Sequence, residues 1–414
     1  MRIVVLGAGL AGVTAAWYLA ADGHEVEVID REPRVAGAAS RANGGIVASS
    51  RAFPWPSPAM RATALRALYR NDQAVRLRFQ MDPYFWAWGL RFLASCSQEA
   101  FERLLARKVR LVKYSQQQLD ALVAASGVEY GRLRNGVLYL YRDRGAMEMG
   151  VKRLAMMDGQ GFVTRVLEPA DVVRVEPALK ASESRLAGAI HAETDEAGDS
   201  AAFCEALARK SEAKGVRFRL GTTLRGLRVA GDRVEAADTD RGELKADAFV
   251  CALGVIDPAL RHAFGVPTPI YPVKGFSITV PVTNPAAAPA HAGMDESKLI
   301  AFCPMGGRLR VTGGAEFAGF AKTSTEPDFK RLYDAMNELF PGAADYAGAT
   351  KWVCQRPMTH DSLPRYGRAR YENLWFNIGQ GHMGWAMGPG SGKIVADLVA
   401  GRTPDIDLDG LRIA

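Results

Sequence analysis

Five cysteines and six histidines in 414 residues leave little material for metal or thiol chemistry. Cys96, Cys204, Cys251, Cys303 and Cys354 are odd in number, lie far apart and form no CxxC pair. That pattern excludes a zinc cluster, a redox dithiol and a fully paired disulfide framework, so no metal is expected and the thiols read as reduced and mostly buried. No apolar run approaches the roughly 20 residues of a membrane span, and no basic leader precedes the first apolar run at Ile3. The expected location is therefore cytoplasmic, with a peripheral place on the inner face of the membrane left open. The net charge of +7 is not gathered into a block, because Lys and Arg alternate with acids along the chain. This argues against nucleic acid as a partner and for solvated surface plus anion-binding sites. Internal repeats and low-complexity tracts are also absent.

What is present is an ordinary globular composition, 48% hydrophobic and 23% charged, in a chain longer than one core usually organises. Two domains are expected. Residues 2–6, RIVVL, read as a buried strand ending in glycine; AGVTAAWYLAADG has helical periodicity, and EVEVID alternates as a strand. Together they make a β-α-β unit. From about Phe53 to Ser126 the aromatic and Arg-rich pattern reads as helices, entered through FPWPSP. A helix near Ser200 to Lys214 is followed by strands that read as a return to the first sheet, and runs between Ile270 and Val311 read as antiparallel strands. A helix near Phe329 to Phe340 precedes a strand, a glycine-rich loop and a closing helix at the C-terminus.

Gly7-Ala8-Gly9-Leu10-Ala11-Gly12 falls between the first strand and first helix, where a GxGxxG string carries most weight. Glycines there allow a tight turn, close approach of a pyrophosphate and close helix–strand packing, with the helix N-terminus facing the anion. Asp30, with Arg31 beside it, ends the second strand about 20 residues on, where a carboxylate receives ribose hydroxyls. The unit by itself suits NAD or FAD equally.

VIDREP and the run Ser40-Arg41-Ala42-Asn43-Gly44-Gly45 resemble the extended N-terminal fingerprint of the D-amino acid oxidase-like flavoproteins, and in particular the small subunits of bacterial D-amino acid dehydrogenases. The resemblance continues in Pro54-Trp55, Asp195 to Asp199, YPVKGFSITVP from Tyr271, Arg356 to Thr359, and NLWFNIGQGHMGW, in order along nearly the whole chain. It implies an α/β FAD-binding domain of Rossmann type with a second α+β substrate domain on an antiparallel sheet. The expected division is 1–80, 195–257 and 345–414 for the FAD domain, and 81–194 and 258–344 for the substrate domain. FAD is expected to be noncovalent. Ser40, Asn43, Gly44 and Gly45 are implied to line the flavin or its phosphates, although Ser40 and Asn43 also suit ordinary turns. Gly379, Gly381, His382, Met383 and Gly384 precede a helix whose N-terminus can meet the flavin.

In this family the arginine of the RP dipeptide, here Arg356, holds the substrate carboxylate, for which a planar fork of donors is well made. His382 is a candidate catalytic and substrate-binding residue, and Tyr271 and Lys274 match a segment near the pocket. The sequence departs from common family members at Gln355, His360, Ser362 and His382, where leucine, proline, glycine and threonine are usual. Substrate identity is thereby left open. The implied reaction is oxidative deamination of an amino acid, D-configured by resemblance, with quinone or dioxygen as electron acceptor. Secondary-amine oxidation and a flavin electron-relay subunit are the alternatives, and a homo-oligomer is left open. The aromatic stretch Tyr84 to Trp88 with Phe92 reads either as core under a lid or as a membrane-docking surface.

Overall fold

The computed structural model describes residues 1–67 and 75–413; the part of the expected helical stretch at 68–74 lies outside the described residues. The opening strand Arg2–Leu6 is buried on both faces, and this dictates a central place in a covered sheet. It lies in a six-stranded sheet ordered Arg365–Arg368, Leu374–Ile378, Ala248–Cys251, Arg2–Leu6, Glu25–Asp30, Arg217–Leu220. All neighbours are parallel except the Arg365–Arg368 edge. Alternate side chains leave by opposite faces. Ile3 and Val5 enter a core with the helices Leu10–Ala21, Gln98–Ser126, Ser200–Glu212 and Gly384–Val399. Val4 and Leu6 meet Leu224, Val234 and Leu244 on the other face. Those last residues belong to a three-stranded antiparallel meander spanning Leu224–Ala230, Arg233–Thr239 and Gly242–Lys245. Only Arg217–Leu220 and Ala248–Cys251 of the expected returning strands rejoin the parallel sheet; the strands between them cover its face.

The second sheet has nine strands. Its main order runs Thr350–Thr359, Ile270–Pro281, Arg308–Phe317, Ile300–Pro304, Ala292–Asp295, Val137–Tyr141, Gly188–Ala192, Thr164–Leu167, with Val75–Leu77 beside Arg308–Phe317. It is antiparallel except where Ala292–Asp295 meets Val137–Tyr141 and where Val75–Leu77 joins. The amphipathic helix Glu326–Leu339 closes one face, setting Phe329, Leu332 and Met336 against Phe276, Ile278 and Val311.

Two parts of the expected division fall elsewhere. The strand Thr350–Thr359, assigned from sequence to the nucleotide domain, is hydrogen-bonded along its length to Ile270–Pro281 and is an edge of the nine-stranded sheet. The helix Gln98–Ser126, assigned to the substrate domain, buries Phe101, Leu104, Val109 and Leu119 in the core beneath the parallel sheet. Periodicity shows that a helix has an apolar face; it does not show which sheet that face covers. In the helix Pro83–Ala94 the aromatics Phe85, Trp88 and Phe92 are buried as core, while Trp86 and Leu90 stay exposed beside Phe79 and Met81. No helix among the described residues is long and apolar enough to cross a membrane. All five cysteines are free, and four are buried.

Candidate active site

Between the two sheets lies a cavity of about 1430 Å³, larger than the roughly 300–1,000 Å³ of a pocket for one small ligand. Gly7, Gly9, Leu10 and Ala11 open onto it at the start of the first helix. The three motif glycines are required for three different reasons. Gly7 has φ +114, and a Cβ there would sit 2.6 Å from the Ala252 carbonyl oxygen. A Cβ on Gly12, which stands behind the cavity wall, would overlap the Gly7 carbonyl oxygen, so glycine there lets helix and turn touch. Gly9 is different, since its φ of −78 suits any residue and its Cβ would meet only Ser40 Oγ, at 3.5 Å. None of the described residues demands glycine at this position, and the space beside it opens onto the cavity.

Two backbone N–H groups at the start of that helix are held by side chains of the chain itself. Ser40 Oγ accepts the Leu10 N–H at 3.1 Å, and Asp30 Oδ2 accepts the Ala8 N–H at 2.7 Å. The other oxygen of Asp30 accepts the Glu32 N–H at 2.9 Å, so this carboxylate holds the loop as well as lining the cavity beside Arg31. Asn43 uses its side-chain carbonyl on the Gly45 N–H, the ordinary-turn role, and lines the cavity with Gly44. Gly45 lies behind them with φ +73, pressed against Cys303 and Met305.

A second helix N-terminus reaches the same space. Gly381, His382, Met383 and Gly384 line it at the start of Gly384–Val399, while Gly379, with φ +83, stands outside and turns the chain. Gly388 and Gly392 let this helix lie directly on Leu10 and Thr14 of the first, so both N-termini face the cavity side by side. Gln380, not singled out from sequence, ties them: it donates to Asn377 Oδ1 at 2.6 Å, and Asn377 donates to the Ala11 carbonyl at 3.2 Å.

On the nine-stranded side, Arg356 lines the cavity. Its guanidinium lies where a Cβ on Gly275 would stand, and Nη1 donates to the Gly314 carbonyl at 2.8 Å. No carboxylate among the described residues pairs with it. His382 packs against Trp55, ring centroids 5.0 Å apart and planes tilted by 30°. Burial first, and the nearby Lys108 and Arg356 cations second, hold the imidazole well below its ordinary pKa, so it is neutral. The Trp55 N–H is fixed by Ser362 Oγ at 3.1 Å, and Ser362 itself has φ +63.

Tyr271 and Lys274 do not join this site. Tyr271 is fully buried beneath Phe85 and Trp88 with its hydroxyl on Gln80, and Lys274 is paired with Glu316 at 3.2 Å, both buried. The strand they share with Gly275 does reach the cavity, but through Phe276. His360 stands outside the lining as well, whereas Gln355 is part of it.

The match to known proteins follows this architecture from end to end. The family model described as "DAO: FAD dependent oxidoreductase" matches residues 2–398. The chain belongs to this FAD-dependent oxidoreductase family. A protein of Mesorhizobium japonicum named D-amino acid dehydrogenase 2 is 41% identical over 412 residues, covering 99% of each chain. Another, named D-amino acid dehydrogenase, from Paramagnetospirillum magneticum, is 40% identical over 414 residues, covering 100% of this chain and 98% of the other. Among solved structures, glycine oxidase from Geobacillus kaustophilus shares the fold with a TM-score of 0.75 at 21% identity, over 100% of this chain and 98% of that one. FAD is the family's cofactor, and the residues present fit it. Asp30 and the Gly9 opening suit adenosine and pyrophosphate, and the Gly381–Gly384 N-terminus suits a ring on which negative charge develops. Signals missed from sequence are Trp55, quoted there only as part of a resemblance, and Arg51, Tyr139, Tyr141 and Glu296, which line the far end of the cavity.

Proposed function

We propose that this protein carries out the oxidative deamination of an amino acid, D-configured as the names of its relatives suggest, to the 2-oxo acid and ammonia. The observation that carries the reading is Arg356: a guanidinium without a carboxylate partner, in the same cavity as the dinucleotide loop. Bound FAD supplies the hydride acceptor. Arg356 holds the substrate carboxylate through two parallel donors and, with the Trp55–His382 wall, orients the α-carbon. Neutral His382 accepts a hydrogen bond from the amine without adding charge. A guanidinium with no carboxylate partner among the described residues favours turnover in this chain over a role as a passive electron relay.

The exposed group of Phe79, Met81, Trp86 and Leu90 supports a peripheral contact with a membrane, where a quinone takes up the electrons. The testing experiment is an anaerobic screen of the purified FAD-loaded protein. D-amino acids are expected to bleach the flavin and release ammonia. Bleaching by secondary amines alone would transfer the activity to that class, and no bleaching by any amine would overturn the reading.

A further inference from the structure

The far end of the cavity holds a second arginine built into place. Arg51 lies on the turn Ser49–Arg51, and its side chain is only 10% exposed. Buried Asp195, 145 residues further on, fixes that turn by accepting both the N–H and the Oγ–H of Ser50, each at 2.7 Å. The same carboxylate receives the Tyr139 hydroxyl at 2.7 Å, and the Arg51 guanidinium lies over the Tyr139 ring, 4.2 Å from its centroid. Nη2 of Arg51 donates to Tyr141 Oη at 2.6 Å and to Glu296 at 2.7 Å. Nε is buried without a partner among the described residues. Tyr141 accepts from Arg51, which leaves its hydroxyl able to donate to a ligand. Glu296 balances the charge of Arg51, and Arg153, lining the same end, adds another cation. Donors therefore predominate at this end of the cavity.

Register relates this arginine to Arg356. Thr312, Ala301, Met294 and Tyr139 are paired neighbours in one row across four strands. Gly314, which receives Arg356, and Tyr141, which receives Arg51, are each two residues beyond that row. The strands Arg308–Phe317, Ala292–Asp295 and Val137–Tyr141 run in the same direction, so both residues are displaced the same way. The two residues that receive the guanidinium groups thus lie three strand spacings apart, about 14 Å along the sheet. A five-carbon diacid places its carboxyl carbons about 5 Å apart, and a charge-assisted contact adds about 4 Å at each end, giving about 13 Å.

Resting on the reading of Arg356 as the α-carboxylate clamp, we infer that Arg51, with Tyr141, is a second carboxylate anchor that makes this enzyme selective for amino acids bearing a distal carboxylate. The test uses FAD-loaded protein and two inert ligands, glutarate and pentanoate, with binding read from the flavin spectrum and by calorimetry, so that no turnover is needed. The native protein is expected to bind glutarate roughly ten- to hundredfold more tightly than pentanoate. Arg51→Gln is expected to lose most of that preference, and Tyr141→Phe part of it. Equal binding of the two ligands by native protein, or a preference retained in Arg51→Gln, would overturn the inference. If Arg51→Gln fails to fold, the native comparison and Tyr141→Phe still decide. A native preference for glutarate that survives Arg356→Gln undiminished would count instead against the clamp reading.

Discussion

Lys108, with no surface exposed, donates from Nζ to the backbone carbonyl of Phe53 at 3.1 Å, one residue before the cavity-lining Pro54 and Trp55. Burial pushes its pKa down to about 7, partly opposed by Asp361. The unfolded chain, with an ordinary lysine pKa, therefore binds more protons than the folded one between about pH 7 and pH 10, and stability rises with pH across that window. Lys108→Met removes this dependence and forfeits one hydrogen bond. Urea unfolding is expected to show the variant more stable than native by on the order of 2–4 kcal/mol near pH 6, with the gap closing or reversing by about pH 9. A gap that does not change with pH would contradict the assignment.

Gly9 and Gly12 should separate cofactor binding from folding. A Cβ on Gly9 meets only a hydroxyl at 3.5 Å, whereas one on Gly12 overlaps a carbonyl oxygen. Gly9→Ala is expected to leave the melting temperature of FAD-free protein within a degree or two while weakening FAD at least tenfold. Gly12→Ala should lower that temperature outright. The pair is checked by thermal denaturation with and without added FAD; equal destabilisation of both FAD-free variants would refute the division of labour.

Lys274 supplies a control for the substrate site. Its ammonium pairs with buried Glu316 and donates to the Thr323 carbonyl at 2.8 Å, away from the cavity. Because Glu316 keeps Arg76 and Arg78 as partners, Lys274→Met should cost about 1–3 kcal/mol rather than the larger loss of an abandoned buried charge. KM for the amino acid should stay within about twofold of native. A large rise in KM at unchanged stability would return Lys274 to the site.

What was legible in the sequence was what is local. The glycine turn, the Asp30 strand end and the glycine-rich entry to the last helix each need only a few neighbouring residues to be recognised. Long-range pairing was not legible in the same way. The strand carrying Arg356 reads as a strand, but its place beside Ile270–Pro281 depends on a partner some 80 residues earlier. Tyr271 and Lys274 fall in a segment that resembles the family's pocket, yet only the covering helix Pro83–Ala94 and the acid Glu316 show that they point elsewhere. Arg51 carried no signal because the carboxylate that fixes its turn, Asp195, lies so far along the chain.

The clamp role of Arg356 is tested most directly by a cycle that varies the substrate's carboxylate and the arginine together. Anaerobic flavin reduction is measured for an amino acid and its amide, in native enzyme and in Arg356→Ala, each fully loaded with FAD. Removing one partner of a buried charge pair costs about 2–5 kcal/mol, so native enzyme should favour the acid by roughly 30-fold or more. Arg356→Ala should retain FAD and lose most of that preference. If the variant distinguishes acid from amide as well as native enzyme does, Arg356 is not the carboxylate clamp.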